Sequence, residues 1–335
     1  MRPRADIAAG SCFVRHGAAA AHVPRGRHAR GAARCRPCCG GARDGLPPGR
    51  MDTIVDPAAQ HTLVLRSDRS PSARQRDAVA DVVDGLRHWR LGFTLGWLDI
   101  RLRYRGSVLG PFWLTLSTAV MVAALGVLYS ELFKMDLREY LPFLALSLVL
   151  WNSYLAALVG DACSCFLQAE GLIRSIRMPF TLHAIRTVVR NLLTLAHNVI
   201  VIVAVWAIFD AWPGWNAFLA VPGVLLWLVD SLALCLLLGT VCARFRDIPP
   251  IVGSIMQIAF FVSPIIWKPE LLQGSSAEWL PANPFYSLLE IVRAPLLREI
   301  PTGVVWASAL GYSVLLCAVS WLVFSRLRGR LAFWV

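Results

Sequence analysis

Charge is scarce in this chain. Charged residues occupy 16% of 335 positions, against about 25% in soluble domains. With 56% hydrophobic residues and a mean hydropathy of +0.56, that shortfall excludes an ordinary soluble fold. It excludes intrinsic disorder of the whole chain as well, because disorder needs low hydrophobicity. Lysine is almost missing, with only Lys134 and Lys268. A phosphate-binding P-loop needs Gly-Lys-Ser/Thr. Lys134 follows Phe133 and Lys268 follows Trp267, so no standard ATP-binding loop is encoded. His-Glu-x-x-His and Gly-x-Ser-x-Gly are also absent, which argues against an enzyme and leaves no catalytic residue to assign. A zinc site would need a second Cys/His pair beyond Cys35-Arg-Pro-Cys38-Cys39, and none follows at zinc spacing, so no metal is expected.

The formal net charge of +12 belongs mostly to one end. Residues 1–50 hold ten Arg and two acids. The rest of the chain carries 23 basic and 19 acidic residues, so the folded part offers no basic surface for nucleic acid. Residues 1–50 are rich in Arg, Ala, Gly and Pro, have no periodic apolar face and cannot build a core. They also lack the apolar region of about 7–15 residues that a signal peptide needs. Residues 1–86 are therefore read as a disordered extension or as sequence upstream of a true start at Met51.

What is present is long apolar runs. A spanning helix needs about 20 mainly apolar residues. Six segments qualify: 109–133, 141–165, 188–209, 217–242, 250–267 and 303–325. They are continuous rather than alternating, which excludes a β-barrel. The expected fold is an all-α polytopic membrane protein of six transmembrane helices, its transmembrane domain covering 107–330. With the N-terminus inside, the inner flanks carry 14 Lys/Arg and the outer flanks five, which places both termini in the cytoplasm. Trp212, Trp215, Trp267 and Trp279 then fall at the outer boundary, as an aromatic belt would. No cysteine of the membrane region lies on an outer loop; Cys163, Cys165, Cys235, Cys242 and Cys317 read as small apolar filler.

Three segments outside the spans carry signal. Segment 87–106 mixes Trp and Phe with Arg101, Arg103, Tyr104 and Arg105. It predicts an amphipathic helix on the inner leaflet, weakened at its start by Gly92 and Gly96. The inner loop 166–182 is too apolar for a plain connection. It predicts a short helix across the inner face, with Leu172 and Ile173 exposed to a partner protein. Segment 268–302 contains an apolar piece, 284–297, too short to span and broken by Pro295. It predicts an outer re-entrant helical hairpin between helices 5 and 6, with Asn283 and Pro284 at its turn and Glu290 and Arg293 paired at i, i+3. Inside the spans, His197 and Asp230 fall at similar depth on consecutive helices and are expected to satisfy each other.

Asp99-Ile-Arg-Leu-Arg-Tyr-Arg-Gly-Ser-Val-Leu-Gly-Pro-Phe-Trp113 resembles the entry to the first span in permeases of type-2 ABC exporters for polysaccharides. Glu170-Gly171-Leu172-Ile173-Arg174 resembles the ATPase-coupling loop of that family, and Arg244-Phe-Arg-Asp-Ile248 its loop between spans four and five. Ser263-Pro-Ile-Ile-Trp267, Asn283-Pro284-Phe285 and the terminal Arg330-Leu-Ala-Phe-Trp-Val335 also fit. The resemblance covers roughly 87–335. It implies a homodimeric permease in the bacterial inner membrane, with two copies of an ABC ATPase subunit that binds ATP and Mg, so that this chain holds no cofactor. The implied substrate is an undecaprenyl-diphosphate-linked glycan of O-antigen or capsule type. A path for such a glycan suits aromatic side chains, on which sugar faces stack; Trp113, Tyr129, Trp151, Tyr154, Phe260 and Phe261 are the candidates. The outer gate would comprise Asn283, Pro284, Phe285, Glu290 and Arg293. Two other readings stay open: a drug or lipid exporter of the same fold, and a membrane-embedded glycan-modifying enzyme using Asp230 or Glu290.

Overall fold

The structure is a computed structural model that describes residues 70–106, 110, 112–272 and 279–335. The described residues fall in one unit, Leu65–Val335, and contain helices and turns but no strand. Residues 1–69, including the cysteine cluster and Met51, lie outside the described residues.

The first helix, α1 (Pro71–Arg87), falls within the stretch expected to be an extension. Ser70 caps it by accepting from the Ala73 N–H, and Pro71 takes the first helical position, where its missing N–H costs nothing. Ala78, Asp81 and Gly85 form its buried face. Residues 71–86 are thus a packed helix and not disordered chain. After a break at His88, α2 (Trp89–Arg103) runs along the N-terminal half of α6 (Phe180–Phe209). The glycines that weaken α2 in sequence make this contact. Gly92, Gly96 and Ile100 are its buried positions. A Cβ on Gly92 would sit 2.7 Å from Ile185 Cγ2, and one on Gly96 2.8 Å from the Arg186 carbonyl oxygen. Small residues four apart let two helix backbones approach closely.

Among the described residues five helices are long and apolar enough to cross a membrane: α3 (Phe112–Phe133), α4 (Leu137–Ser164), α6, α7 (Trp215–Arg244) and α10 (Gly303–Trp334). The expected fifth span, 250–267, is helical only in α8 (Ile248–Val262). Fifteen residues rise about 22 Å, short of a hydrocarbon core of about 30 Å. The chain leaves the helix at Ser263-Pro264, where the residue before proline prefers extended backbone; Ser263 has ψ 145°. The third span also begins earlier than expected, at Phe180 rather than 188.

The centre of the bundle is α4, whose apolar window is 72% buried, against 22–44% for the other four long helices. Every residue from Tyr140 to Leu150 is buried, and a π-helical turn interrupts it at Trp151–Leu155. After the far end of α4 lies a six-residue helix, α5 (Glu170–Ser175). At the opposite end of the bundle α9 (Pro284–Leu296) packs against α7 and α10. The helix α9 starts well because Asn283 accepts from the N–H groups of Phe285 and Tyr286 and Pro284 follows at the first helical position.

Candidate transport site

One end of the bundle is organised around Arg293, which is 1% exposed. Its guanidinium pairs with Glu290 one turn earlier on α9. It donates to Ser147 Oγ on α4 at 2.9 Å and to the Pro264 carbonyl oxygen at 2.5 Å, and it lies 4.5 Å from the centre of the Phe143 ring. The Tyr140 hydroxyl donates to the Ile266 carbonyl oxygen, and Asn283 Nδ2 donates to Ser263 Oγ. The irregular segment after α8 is therefore held on both sides, by α4 and by the start of α9. Above it opens a cavity of about 490 Å³ that mixes Arg138, Lys268 and Arg298 with Glu270, Glu290 and Glu299. Burial pushes the Glu299 carboxyl up, and the neighbouring Glu290 and Glu270 add to the effect.

Deeper, the π turn of α4 presents Trp151 to α8 and α9. Its ring lies 6.2 Å from Phe260 and 5.5 Å from Phe285, and Phe260 meets Phe261 edge-on at 5.2 Å. Tyr154 stacks on Trp227 of α7 at 5.3 Å, and its hydroxyl lies 2.7 Å from Ser231 Oγ. Four of the six expected path aromatics thus gather on α4 and α8, while Trp113 and Tyr129 sit apart on α3. There Trp113 is exposed and Tyr129 stacks on Phe133.

The expected His197–Asp230 pair does not form. His197 Nδ1 bonds to the Leu193 carbonyl oxygen of its own helix, and Asp230 Oδ2 accepts from Ser313 of α10 at 2.7 Å. The physical reason is packing: the most extensive partner of α7 is α10, so the Asp230 face turns there and not towards α6.

At the opposite end, Arg174 of α5 reaches the backbone oxygen of Val335 at 2.8 Å and pairs with Glu170. Gly171 is open, but Leu172 and Ile173 are half-buried, with Ile173 packed on the core. The apolar residue this loop does expose is Ile176. Leu172 and Ile173 sit within α5, whereas Ile176 lies just past its end in extended backbone. Nearby, Arg244 lies over the rings of exposed Phe245 and of Trp334. Of the interface-helix residues, Arg101, Arg103 and Arg105 are exposed and Tyr104 is half-buried.

Sequence reasoning missed the polar lattice that joins these inner elements. Asp81 of α1 accepts from the Phe180 and Thr181 N–H groups at 3.1 and 3.0 Å, from the Thr181 hydroxyl, and from Arg328 of α10. Asp99 of α2 takes a bidentate bond from Arg186. Asp161 of α4 accepts from Arg190 and Asn191. For α2 the signal existed in the Gly92–Gly96 spacing; for Asp81 an acid in a polar tail offers none.

The five long apolar helices among the described residues define a multi-pass membrane protein. The family model described as ABC-2 type transporter matches residues 90–297, and the chain belongs to that family. Over 198 residues, 58% of this chain and 76% of the relative, it is 26% identical to the O-antigen export system permease protein RfbA of Myxococcus xanthus. The chain is thus the membrane subunit of a transporter and not an enzyme, and membership implies an ABC ATPase partner.

Proposed function

We propose that this protein exports a lipid-linked polysaccharide, of O-antigen or capsule type on an undecaprenyl-diphosphate carrier, from the cytoplasm across the inner membrane. The observation that carries this reading is the identity to an O-antigen export permease over 198 residues. The aromatic run Trp151, Phe260, Phe261 and Phe285 supports it, since rings of this kind offer sugar faces a stacking surface without fixed hydrogen bonds. The permease acts as a homodimer with two ATPase subunits and both termini in the cytoplasm. A two-fold pair of bundles can line a path wider than one bundle encloses. The α2 helix, with exposed Trp89, Phe93 and Trp97 beside Arg101, Arg103 and Arg105, rests on anionic headgroups.

ATP-driven motion enters at α5, where Ile176 is the apolar anchor offered to the ATPase. In a strain deleted for this gene, lipid-linked glycan should accumulate on the cytoplasmic face, and the wild-type gene should restore export. Ile176→Asp should insert normally, fail to co-purify the ATPase, and not restore export, because an unpaired charge in a desolvated contact is strongly unfavourable. Normal glycan distribution in the deletion strain removes the polysaccharide reading. Intact complex and export in the variant remove Ile176 from the contact.

The outer segment around Asn283, Pro284, Phe285, Glu290 and Arg293 closes the periplasmic end as a re-entrant gate. Irregular backbone at membrane depth is tolerated only beside protein or a water-filled cavity. Single cysteines placed at 283–285, which are half-buried, should react with a membrane-impermeant maleimide from outside, at rates that change when the ATPase is trapped with nucleotide. Labelling that is uniform and indifferent to nucleotide would identify a passive loop.

A further inference from the structure

Beyond the irregular segment, α4, α7, α8, α9 and α10 line a second, partly open cavity of about 430 Å³, and Ile255, Leu315 and Val319 of its lining are exposed. Its walls are almost entirely apolar, built from residues such as Leu155, Leu158, Leu234, Met256 and Leu316. One carboxyl interrupts them. Asp230 is 7% exposed, its Oδ2 accepts from Ser313, and its Oδ1 has no hydrogen-bond partner. None of the described residues lining the cavity is Lys, Arg or His. The lining also includes the stacked rings of Tyr154 and Trp227, together with Phe285.

A buried carboxyl oxygen without a donor is unfavourable, and an ionised one more so, unless a ligand supplies the missing charge. Aromatic faces attract cations as well. Small-molecule sites have this form: about 300–1,000 Å³, apolar walls and a few converging polar groups. The terminal torsion of an aspartate is broad, so Oδ1 can turn to meet a ligand without a change of χ1 rotamer. A polyprenyl diphosphate carries the wrong sign for this carboxyl, which separates the site from the glycan carrier.

We infer that the cavity binds a small hydrophobic organic cation, with its charge at Asp230 and its apolar groups against the α8 and α10 walls. The inference does not rest on the polysaccharide reading. Its experiment uses the permease purified with its ATPase subunit in phosphatidylcholine nanodiscs. Binding of radiolabelled tetraphenylphosphonium is measured, and separately binding of tetraphenylborate, an anion of the same shape. Tetraphenylphosphonium should bind saturably and tetraphenylborate only by unsaturable partition into lipid. Asp230→Asn, which keeps an acceptor for Ser313, should retain the thermal midpoint and weaken cation binding by about tenfold or more. Leu316→Trp, which fills the cavity from the half-buried α10 side, should remove saturable binding, and it decides the matter if the Asp230→Asn complex fails to assemble. Unchanged affinity in Asp230→Asn, saturable binding of both ions alike, or full binding in Leu316→Trp would overturn the proposal; the second result would indicate a charge-blind groove for a lipid chain.

Discussion

Replacing Arg293 with leucine should remove most of the folded protein. Its guanidinium is 1% exposed and serves four neighbours at once: Glu290, Ser147, the Pro264 carbonyl and the Phe143 ring. Taking away one member of a buried ion pair leaves the other as an uncompensated charge, at a cost of about 3–5 kcal/mol. Whole domains are stable by only about 5–15 kcal/mol, so the loss is large. It is concentrated where α4, the end of α8 and α9 meet. The double variant Glu290→Leu/Arg293→Leu should recover much of the loss, because apolar replacement of a whole buried pair is often neutral. Arg293→Lys should fall between, since a single ammonium cannot reproduce the planar fork that spans Glu290, Ser147 and Pro264. Thermal unfolding followed by size-exclusion in detergent gives the ranking. A single Arg293→Leu variant as stable as wild type, or a double variant worse than the single, would refute this account.

Asp81→Leu should detach α1 from the bundle. Asp81 is 2% exposed and satisfies two backbone donors at the start of α6 from a helix about a hundred positions away. The first N–H groups of a helix have no partner of their own, and loss of a side-chain cap costs about 0.5–2 kcal/mol. Here Arg328 loses its partner too, and leucine at 81 would seal the orphaned donors in an apolar contact. Because α6 begins a few residues after α5, the loosened joint also lies between α5 and the membrane bundle. Trypsin should therefore cut at exposed Arg87 and Arg90 several-fold faster than in wild type, and export should fall more than ATP hydrolysis. Asp81→Asn keeps one acceptor and should show a smaller increase. Equal cleavage rates in Asp81→Leu and wild type would show that α1 is held by something else.

The membrane class, the all-helical fold of the described residues and five of the six span positions were legible without coordinates. Each is a local sum over neighbouring residues, hydropathy over about 20 positions. The pairing of Glu290 with Arg293 was legible for the same reason, since three residues on one helix are always neighbours. Segment 250–267 was read as a span because its composition is apolar throughout, and composition does not report where Arg293 and Tyr140 take hold of the backbone beyond Val262.

Partners far apart in sequence were settled by packing alone. Asp230 faces Ser313 and not His197 because α7 lies along α10. Leu172 is half-buried within α5, and Ile176 is exposed just past its end, where the backbone turns extended. Asp81 becomes a cap only once α1 lies across the start of α6. Apolarity determined that this chain enters a membrane as helices, since a backbone in lipid must satisfy its own hydrogen bonds. Which buried polar group meets which depended on helix rotation and close approach, and those are properties of the assembled bundle: Gly92 and Gly96 read singly are helix breakers, and only against Ile185 and Arg186 do they become a contact.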